Sequence, residues 1–435
     1  MTLEDVGVGG AGGRPESVQV VRTSASVGFF LVLTNLLLLG VALVSARQLG
    51  PDGRGVLVLV IALGSMTGIL SGLGTHVSAR IRLVAATDPV PMSDVLGLSF
   101  ALSGLELVLC GFAAGIVLPL THVPTSLTVV ALTATYGCAL LLATLLGQAL
   151  YGIGRGPAAA ASEAAGTLLQ LAGLAALGVV GDRQVTHYVM AMAGGEAAQA
   201  VITLAVLAKW RAGLRPTASV ARWRELVVLG LPALFIGVSQ GLSLRLDRFL
   251  TGWFLRPRDV GIYSVAATIT EGLWLAPIAL AQVLFHQTAS LAIQASSVKR
   301  LRHYSLLATG GLAVIVFFAA PPAIELALGR DYLPAVTSLR VLLLGAIGMA
   351  SYYVDSMLLM GAGRVRAAAA AAAAGMFLIT LADLILIPRY GILGAAWASS
   401  LGYLAMGGIS RVTVDHLEFR SWRPDNCESI STKSP

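Results

Sequence analysis

Charged residues are scarce in this chain of 435 residues: Asp, Glu, Lys and Arg make up 12% of it, whereas about a quarter is usual for a soluble domain. Hydrophobic residues account for 56%, and the mean hydropathy is +0.83. Between Ala25 and Ser410, long apolar runs alternate with short polar breaks. An apolar run of about 20 residues crosses a bilayer as a helix, because only a helix satisfies its own backbone polar groups in lipid. The sequence therefore predicts an all-α polytopic membrane protein.

Cysteine and the common catalytic motifs are also scarce. The three cysteines, Cys110, Cys138 and Cys427, have neither the spacing of a metal site nor that of a disulfide framework. The chain lacks a Walker loop, a Gly-x-Ser-x-Gly sequence, a paired His–Glu zinc motif and any large segment between the apolar runs. We therefore expect no enzyme activity, no catalytic residue, no cofactor and no metal site.

Twelve apolar runs are long enough to span a membrane. The predicted spans are residues 25–46, 55–79, 94–118, 126–150, 158–180, 187–208, 226–252, 261–288, 304–328, 335–361, 366–388 and 391–411. Nineteen Lys and Arg lie on the side of the two termini and alternate loops, and seven lie in the other loops. By the positive-inside rule, the first side is cytoplasmic. Both termini and the Lys209–Arg224 loop are thus predicted inside, with Pro51, Pro257 and Arg389 outside.

The net charge of +7 also needs an explanation. The basic residues lie in short loops beside the spans, where the topology rule accounts for them without a nucleic-acid partner. We therefore expect a multi-pass protein of the plasma or inner membrane, in contact with membrane lipids and with no nucleic acid.

The spans divide six and six around the basic loop, and the two halves share a weak repeat. Leu, Pro and Gly at positions 49, 51 and 55 recur at 255, 257 and 261, a constant offset of 206 that also relates Arg183 to Arg389. An even number of spans per half makes the repeat parallel, as in several transporter folds. The predicted units are a disordered cytoplasmic tail (1–24), a six-helix bundle (25–208), a cytoplasmic linker (209–225), a second six-helix bundle (226–412) and a cytoplasmic tail (413–435).

The second half places charged residues inside its spans: Arg245, Asp247 and Arg248 in span seven, Arg340 and Asp355 in span ten, and Asp383 in span eleven. A charge at mid-helix costs about 2.5–3.5 kcal/mol on insertion scales, so these groups must face one another or a wet cavity. Arg245 and Arg248 share a helix face because they are three residues apart. They either form salt bridges that hold the bundle together or line a cavity for phosphate, which the planar guanidinium fork suits. In the second case the candidate substrate-binding residues are Arg245, Asp247, Arg248, Arg340 and Asp355.

Three glutamates fall near the middle of their predicted spans: Glu106, Glu196 and Glu271. Each is either a protonated acid hydrogen-bonded to a neighbouring helix or a relay that couples transport to a proton or sodium gradient. His76 and His286 lie near the cytoplasmic halves of their spans and are interpreted as packed, neutral side chains.

A series of short motifs resembles one known family. The motifs are Leu49–Gly55 (LGPDGRG), Leu231-Pro232, Arg245–Leu250 (RLDRFL), Val260–Ala266 (VGIYSVA), Leu328–Ala335 (LGRDYLPA), Leu358–Arg364 (LLMGAGR) and Tyr390–Ala396 (YGILGAA). In order and spacing they resemble the polysaccharide flippases of the multidrug/oligosaccharidyl-lipid/polysaccharide (MOP) exporter superfamily, which includes O-antigen and teichoic-acid exporters. The resemblance covers most of residues 25–412, and its specificity lies in the series because each motif is permissive.

The resemblance implies a MATE-like fold, with two six-helix bundles around a central cavity that is often cationic. It implies alternating-access export of a polyprenyl-pyrophosphate-linked oligosaccharide for cell-surface polysaccharide such as O-antigen lipopolysaccharide, with a glycan polymerase and glycosyltransferases as partners. Motif positions support carrying over Asp247, Gly261 and Tyr263, whereas Arg245, Arg248 and Glu271 rest on location only. We place no mid-membrane Lys or Arg in the first half, which separates the chain from lipid II flippases.

Two other functions remain open. A drug or metabolite antiporter with ion coupling would have the same number of spans, but adjacent arginines suit few of the cationic drugs that such proteins export. The loop that begins at Arg80 also lacks the Gly-Asp-Arg-rich motif of the major facilitator type. The second of these functions is a non-transport scaffold for cell-wall assembly.

Overall fold

The computed structural model describes residues 16–85, 88–209, 215–278, 280–281, 295–361 and 364–421. In that part of the chain every regular element is helical, apart from one 3-10 turn at Arg330–Tyr332. The helices are α1 (Glu16–Ser71), α2 (Thr75–Arg82), α3 (Met92–Leu120), α4 (Leu127–Gly152), α5 (Gly156–Val180), α6 (Val185–Lys209), α7 (Val220–Phe254), α8 (Pro257–Gly272), α9 (Ala295–Leu328), α10 (Ala335–Gly361), α11 (Val365–Tyr390) and α12 (Ile392–Ser421). The predicted all-α class is confirmed.

The first helix contains two spans. It is interrupted at Gly50, whose φ of 67° and ψ of 179° are not helical, and Pro51 opens its second half. Glycine tolerates that φ because it has no Cβ, and proline in a first helical turn loses no hydrogen bond. By length and hydropathy, nine described helices qualify as spans and the bent α7 gives a tenth. With α1 counted twice and the shorter α8 included, the described helices give the twelve spans that the sequence predicts.

Several helix ends differ from the predicted ends. Helix α1 begins at Glu16, within the tail predicted to be disordered, and α12 continues to Ser421, past the predicted boundary at 412. Residues 1–15 and 422–435 lie outside the described residues. Helices continue beyond the apolar run because their polar end turns form the same backbone hydrogen bonds in water. Hydropathy therefore locates the apolar part of a helix and not its ends.

Two predicted spans contain breaks. The second span stops at Ser71, turns through Gly72–Gly74 with positive φ at Leu73 and Gly74, and resumes as α2. The eighth span is interrupted after Gly272, and its helical conformation resumes at residue 275. Its remainder, including His286, lies outside the described residues. Glu271 therefore lies in the last turn of α8 and not in the middle of a continuous helix.

The two bundles contact each other through the repeated loops. A Cβ added to Gly55 would lie 1.7 Å from the carbonyl oxygen of Pro257, and one added to Gly261 would lie 2.0 Å from that of Pro51. These contacts are reciprocal at the offset of 206 that the sequence shows, so the repeat is present in the fold. We call the contact between residues 51–55 and 257–261 the Pro51–Pro257 seal, and this end of the molecule the seal end.

The opposite end, which we call the linker end, is fixed by a second set of contacts. The carboxylate of Asp94, at the start of α3, accepts hydrogen bonds from Thr217 (2.5 Å) and Arg222 (2.7 Å). Its backbone carbonyl accepts one from the indole of Trp223 (3.1 Å). Gly74 and Gly230 also bring α2 and α7 into backbone contact, since a Cβ on Gly74 would lie 2.0 Å from the Gly230 oxygen. The first turns of α7 therefore pack on the first bundle.

Candidate functional site

The charged residues of span seven lie in the second part of α7. This helix bends by 44° between its segments Val220–Ser239 and Gly241–Phe254, and the charges follow the bend. Arg245 is half-buried and lies within electrostatic range of Arg248, Glu271 and Tyr136, the last of which belongs to the first bundle. The arginine face of α7 is thus directed towards the contact between the bundles.

Arg248 forms an ion pair with Glu271 of α8. The Arg248 side chain is 12% exposed and that of Glu271 is 38% exposed. Glu271 is thus the more exposed partner of this ion pair, and it is also within electrostatic range of Arg54 in the first bundle. The structure therefore brings together one predicted substrate-binding residue and one predicted ion-coupling residue.

Asp247 is buried in the second bundle, within electrostatic range of Arg245 and Arg248. It is 2% exposed, accepts a hydrogen bond from the Tyr263 hydroxyl at 2.7 Å and contacts Ser399 Oγ at 3.4 Å. Asp383 of α11 lies within electrostatic range of Asp247. It is 0% exposed, and neither of its carboxylate oxygens has a hydrogen-bond partner among the described residues. Asp383 was not among the predicted site residues, although an Asp inside an apolar span is a signal visible in the sequence.

Arg54 corrects the interpretation of the first half. Arg54 is one of the seven basic residues that the sequence predicts in the outer loops, and that prediction is wrong: Arg54 is 6% exposed and donates a hydrogen bond to Ser45 Oγ at 2.7 Å. It lies within electrostatic range of Tyr332, Arg248 and Glu271. The physical reason is the one-residue break at Gly50, which leaves no loop, so residue 54 lies in the first helical turn against the second bundle. The first bundle therefore does contribute a buried cation.

Arg340 and Asp355 do not join this cluster. The Arg340 guanidinium lies over the Phe317 ring, 4.5 Å from its centroid. Asp355 is 0% exposed and accepts hydrogen bonds from Arg302 at 3.0 Å and Ser351 at 3.1 Å. For Asp355 the structure matches the salt-bridge interpretation, in which the charges hold the second bundle together.

The glutamates of the first bundle differ in their surroundings. Glu106 is 0% exposed and accepts hydrogen bonds from Thr67 and Ser71, both at 2.6 Å. Glu196 is only partly buried and accepts a hydrogen bond from Gln170 at 2.8 Å. Tyr136 lies within electrostatic range of both Glu196 and Arg245. Glu196 therefore faces the space between the bundles, whereas Glu106 is enclosed within the first bundle.

Three guanidiniums lie at the contact between the bundles. Arg54, Arg245 and Arg248 are within electrostatic range of Glu271, while Asp247 is within range of Arg245 and Arg248. Arg54 has no ion pair among the described residues, and a buried cation without a counter-charge is costly, so the arrangement favours an additional anion near Arg54. Within the described residues, no group of three His, Cys, Asp or Glu side chains is placed to hold a metal ion.

Several solved membrane-transport proteins share this fold. Lipid II flippase MurJ in an inward closed conformation matches with a TM-score of 0.73 and 12% sequence identity, covering 91% of this chain and 87% of that one. An inward-facing multidrug resistance MATE family transporter of the MOP superfamily matches with a TM-score of 0.70 and 14% identity, covering 89% and 96%. The Vibrio cholerae MATE transporter VcmN matches with a TM-score of 0.60 and 14% identity, covering 94% and 99%. The predicted MATE-like fold of two six-helix bundles is confirmed.

Sequence comparisons match parts of the chain to a protein family and to a relative. Residues 173–337 match the family described as polysaccharide biosynthesis protein. An uncharacterized membrane protein of Methanocaldococcus jannaschii is 27% identical over 109 residues, which is 25% of this chain and 22% of that protein. The chain thus aligns with less than a quarter of the length of that relative. The predicted resemblance is therefore supported by the polysaccharide biosynthesis family match over residues 173–337 and by a fold shared with a lipid II flippase and MATE transporters.

Proposed function

We propose that the protein exports a polyprenyl-pyrophosphate-linked oligosaccharide, moving it from the inner to the outer leaflet of the plasma membrane by alternating access. The observation that carries this proposal is the cluster of three arginines between the bundles, where Arg54, Arg245 and Arg248 lie within electrostatic range of the partly exposed carboxylate of Glu271. The proposed role is transport, without covalent chemistry on the cargo.

The pyrophosphate of such a cargo fits these residues chemically. Guanidiniums bind phosphate through paired, charge-assisted hydrogen bonds, which are about twice as strong as neutral ones. A pyrophosphate diester carries two negative charges, which would pair with the guanidiniums of this cluster. Glu271 then acts as an internal counter-ion that pairs with Arg248 while the site is empty.

The comparisons support the same class of cargo. The neighbour with a TM-score of 0.73 is named a lipid II flippase, and the matched family is described by polysaccharide biosynthesis. In this proposal the seal end faces outwards and both termini are cytoplasmic, as the bias of Lys and Arg predicts. The enzymes expected beside it are glycosyltransferases that build the cargo and a polymerase that consumes it.

Coupling to a proton or sodium ion is assigned in this proposal to Asp247 and Asp383, and no longer to Glu271. Two buried carboxylates within electrostatic range of each other favour binding of a proton or a cation, because they cannot both remain charged without compensation. Glu196 remains a candidate relay because it is partly exposed between the bundles. An inside-negative potential adds a driving force on the exported anion, about 2.3 kcal/mol per charge per 100 mV.

A drug antiporter is the alternative, and the solved MATE transporters give it support from the fold. The buried arginines disfavour it, since a cationic drug would meet three positive charges. A scaffold that transports nothing would have no need for charged groups between the bundles. Transport assays with anionic and cationic substrates therefore distinguish the flippase function from the antiporter and the scaffold.

The test uses the full chain in vesicles that contain a fluorescent polyprenyl-pyrophosphate oligosaccharide, and follows loss of the probe to an impermeant quencher. We expect Arg248→Ala to slow transbilayer movement about tenfold or more, as expected for the loss of a charge-assisted hydrogen bond. Arg248→Lys should restore part of the rate, because an ammonium lacks the fork. The matched control is Arg340→Ala, another intramembrane arginine, which should keep the wild-type rate.

Normal movement by the Arg248→Ala protein would contradict the proposal. Loss of folded protein in both Arg248 variants would instead support a purely structural ion pair with Glu271. Vesicles loaded with a cationic dye provide the second arm, and gradient-driven dye export that is unaffected by Arg248→Ala would favour the antiporter.

A further inference from the structure

Arg54 lies between the arginine site and the Pro51–Pro257 seal. Its charge is within electrostatic range of Arg248 and Glu271, and the next residue, Gly55, packs against the Pro257 carbonyl. Position 54 corresponds to Val260 at the offset of 206, so only the first repeat places a cation here. The residue therefore belongs to both the candidate binding site and the contact that joins the bundles at this end.

The described contacts of Arg54 leave its charge without an ion pair. Its Nη1 donates to Ser45 Oγ at 2.7 Å, while its buried Nε has no hydrogen-bond partner among the described residues. A neutral hydroxyl compensates a buried guanidinium only in part, because charge-assisted bonds are much stronger. The sealed arrangement therefore buries one unsatisfied cation from the first bundle near the cations of the second.

The seal depends on the same short segment of α1. Ala46, directly after Ser45, accepts a hydrogen bond from the Tyr332 hydroxyl of the second bundle at 2.9 Å. Asp52, two residues before Arg54, pairs with Arg258 at 3.2 Å. Any change that makes the burial of Arg54 easier therefore stabilises the approach of the two bundles at this end.

We infer that Arg54 makes closure of the Pro51–Pro257 seal sensitive to the cargo anion. A pyrophosphate held jointly by Arg54 of the first bundle and Arg248 of the second removes the repulsion between them and favours the sealed state. Among the described residues, Glu271 is the carboxylate within electrostatic range of both arginines, whereas Asp247 is within range of Arg248. In the empty protein the charge of Arg54 is therefore offset only in part, so the empty seal is weaker. This inference rests on the proposed function, because it requires a pyrophosphate at the arginine site. It adds a specificity-determining role for one residue: a neutral or cationic molecule in the same space would not close the seal.

The test measures sealing and binding separately. Cysteines replace Asp52 and Arg258, which face each other across the seal, and the initial rate of reaction with a short bis-maleimide reports closure. The protein is held in nanodiscs of zwitterionic lipid, and the probes are inorganic pyrophosphate and geranylgeranyl pyrophosphate. Binding of each probe is followed by isothermal titration calorimetry. Repeating the measurement in nanodiscs that contain phosphatidylglycerol distinguishes a cargo pyrophosphate from a lipid headgroup.

We expect either probe to raise the cross-linking rate about tenfold, the value of a charge-assisted hydrogen bond. Arg54→Gln should retain binding through Arg245 and Arg248 but lose the rise in cross-linking, and Arg54→Lys should regain part of it. Arg330→Gln is the matched control, because Arg330 is 87% exposed at the same end and should keep the full response.

Two further variants test the same idea if Arg54→Gln folds poorly. Ser45→Ala removes the hydroxyl that holds Arg54, and Glu271→Gln removes the internal counter-charge. Both should lower cross-linking of the empty protein, and pyrophosphate should restore it in both.

The outcomes separate this inference from the proposed function. If pyrophosphate binds the wild-type protein but leaves cross-linking unchanged or lowers it, the inference fails and the proposed function stands. The same holds if Arg54→Gln responds like wild type. If neither probe binds the wild-type protein, the proposed function fails and the inference fails with it. If phosphatidylglycerol alone raises cross-linking and geranylgeranyl pyrophosphate adds nothing, the anion sensed is a headgroup, which overturns the role for the cargo.

Discussion

The role of a single residue in this protein depends mainly on the side chains that surround it. Arg248, Glu271 and Asp247 were identified in the sequence because a charge inside an apolar run is costly. Their partners were not predictable, since the ion pair with Glu271 and the hydrogen bond from Tyr263 join residues on different helices. Arg54 escaped detection because hydropathy places it between two runs.

Asp383 supports the sharpest prediction at this scale. Asp383→Asn removes the charge with almost no change in volume, and a buried carboxylate without a partner adds little to stability. We expect the melting temperature to stay the same or rise, while transport loses its response to an imposed proton or sodium gradient. Vesicles with the gradient and the membrane potential imposed separately provide the measurement.

The matched control for Asp383 is Glu106→Gln, a neutralised acid enclosed in the first bundle. It should keep the gradient response, because Glu106 faces Thr67 and Ser71 and not the space between the bundles. A gradient response lost in the Glu106 variant and kept in Asp383→Asn would show that the coupling group lies in the first bundle.

At the scale of elements, the break in α1 and its repeat in the second half determine how the bundles meet. The sequence predicted the repeat from three residues, and the structure places those loops in reciprocal contact. It did not predict the interruptions after Ser71 and Gly272, because hydropathy remains high across a break whose cause is backbone conformation. Glycine at 55 and 261 is required by the close approach and not by an unusual φ.

Replacing Gly55 by Ala should therefore open the seal. The added Cβ would lie 1.7 Å from the Pro257 oxygen, a distance that demands movement of the backbone. We expect a lower cross-linking rate between cysteines at 52 and 258, and a lower melting temperature. Gly104→Ala is the control, since a Cβ there meets nothing within 4 Å and alanine favours a helix. Equal cross-linking in the two variants would show that the seal tolerates the extra atom.

For the whole molecule, the number of spans and the fold class followed from composition and apolar runs, because lipid leaves helices as the main solution for a backbone of this kind. Orientation follows from charge alone and stays a prediction. We expect cysteines at Arg183 and Arg389 to react with an impermeant maleimide added to intact cells, and a cysteine at Arg364 to react only after permeabilisation. The three native cysteines are first replaced by serine. The reverse pattern of labelling would show that the protein has the opposite orientation in the membrane, with the seal end facing the cytoplasm.

The contacts of Asp94 also bear on the order of synthesis. Thr217, Arg222 and Trp223, which complete the linker end of the first bundle, follow the sixth span in the chain. When six spans have left the ribosome, the residues whose side chains fix the start of α3 have therefore not yet been synthesised. Domains generally fold as units from the N-terminus during translation, but here the first bundle must wait for the first turns of α7. We therefore expect the point at which the chain separates into two assembly units to lie inside a helix, beyond Gly230, and not in the basic loop.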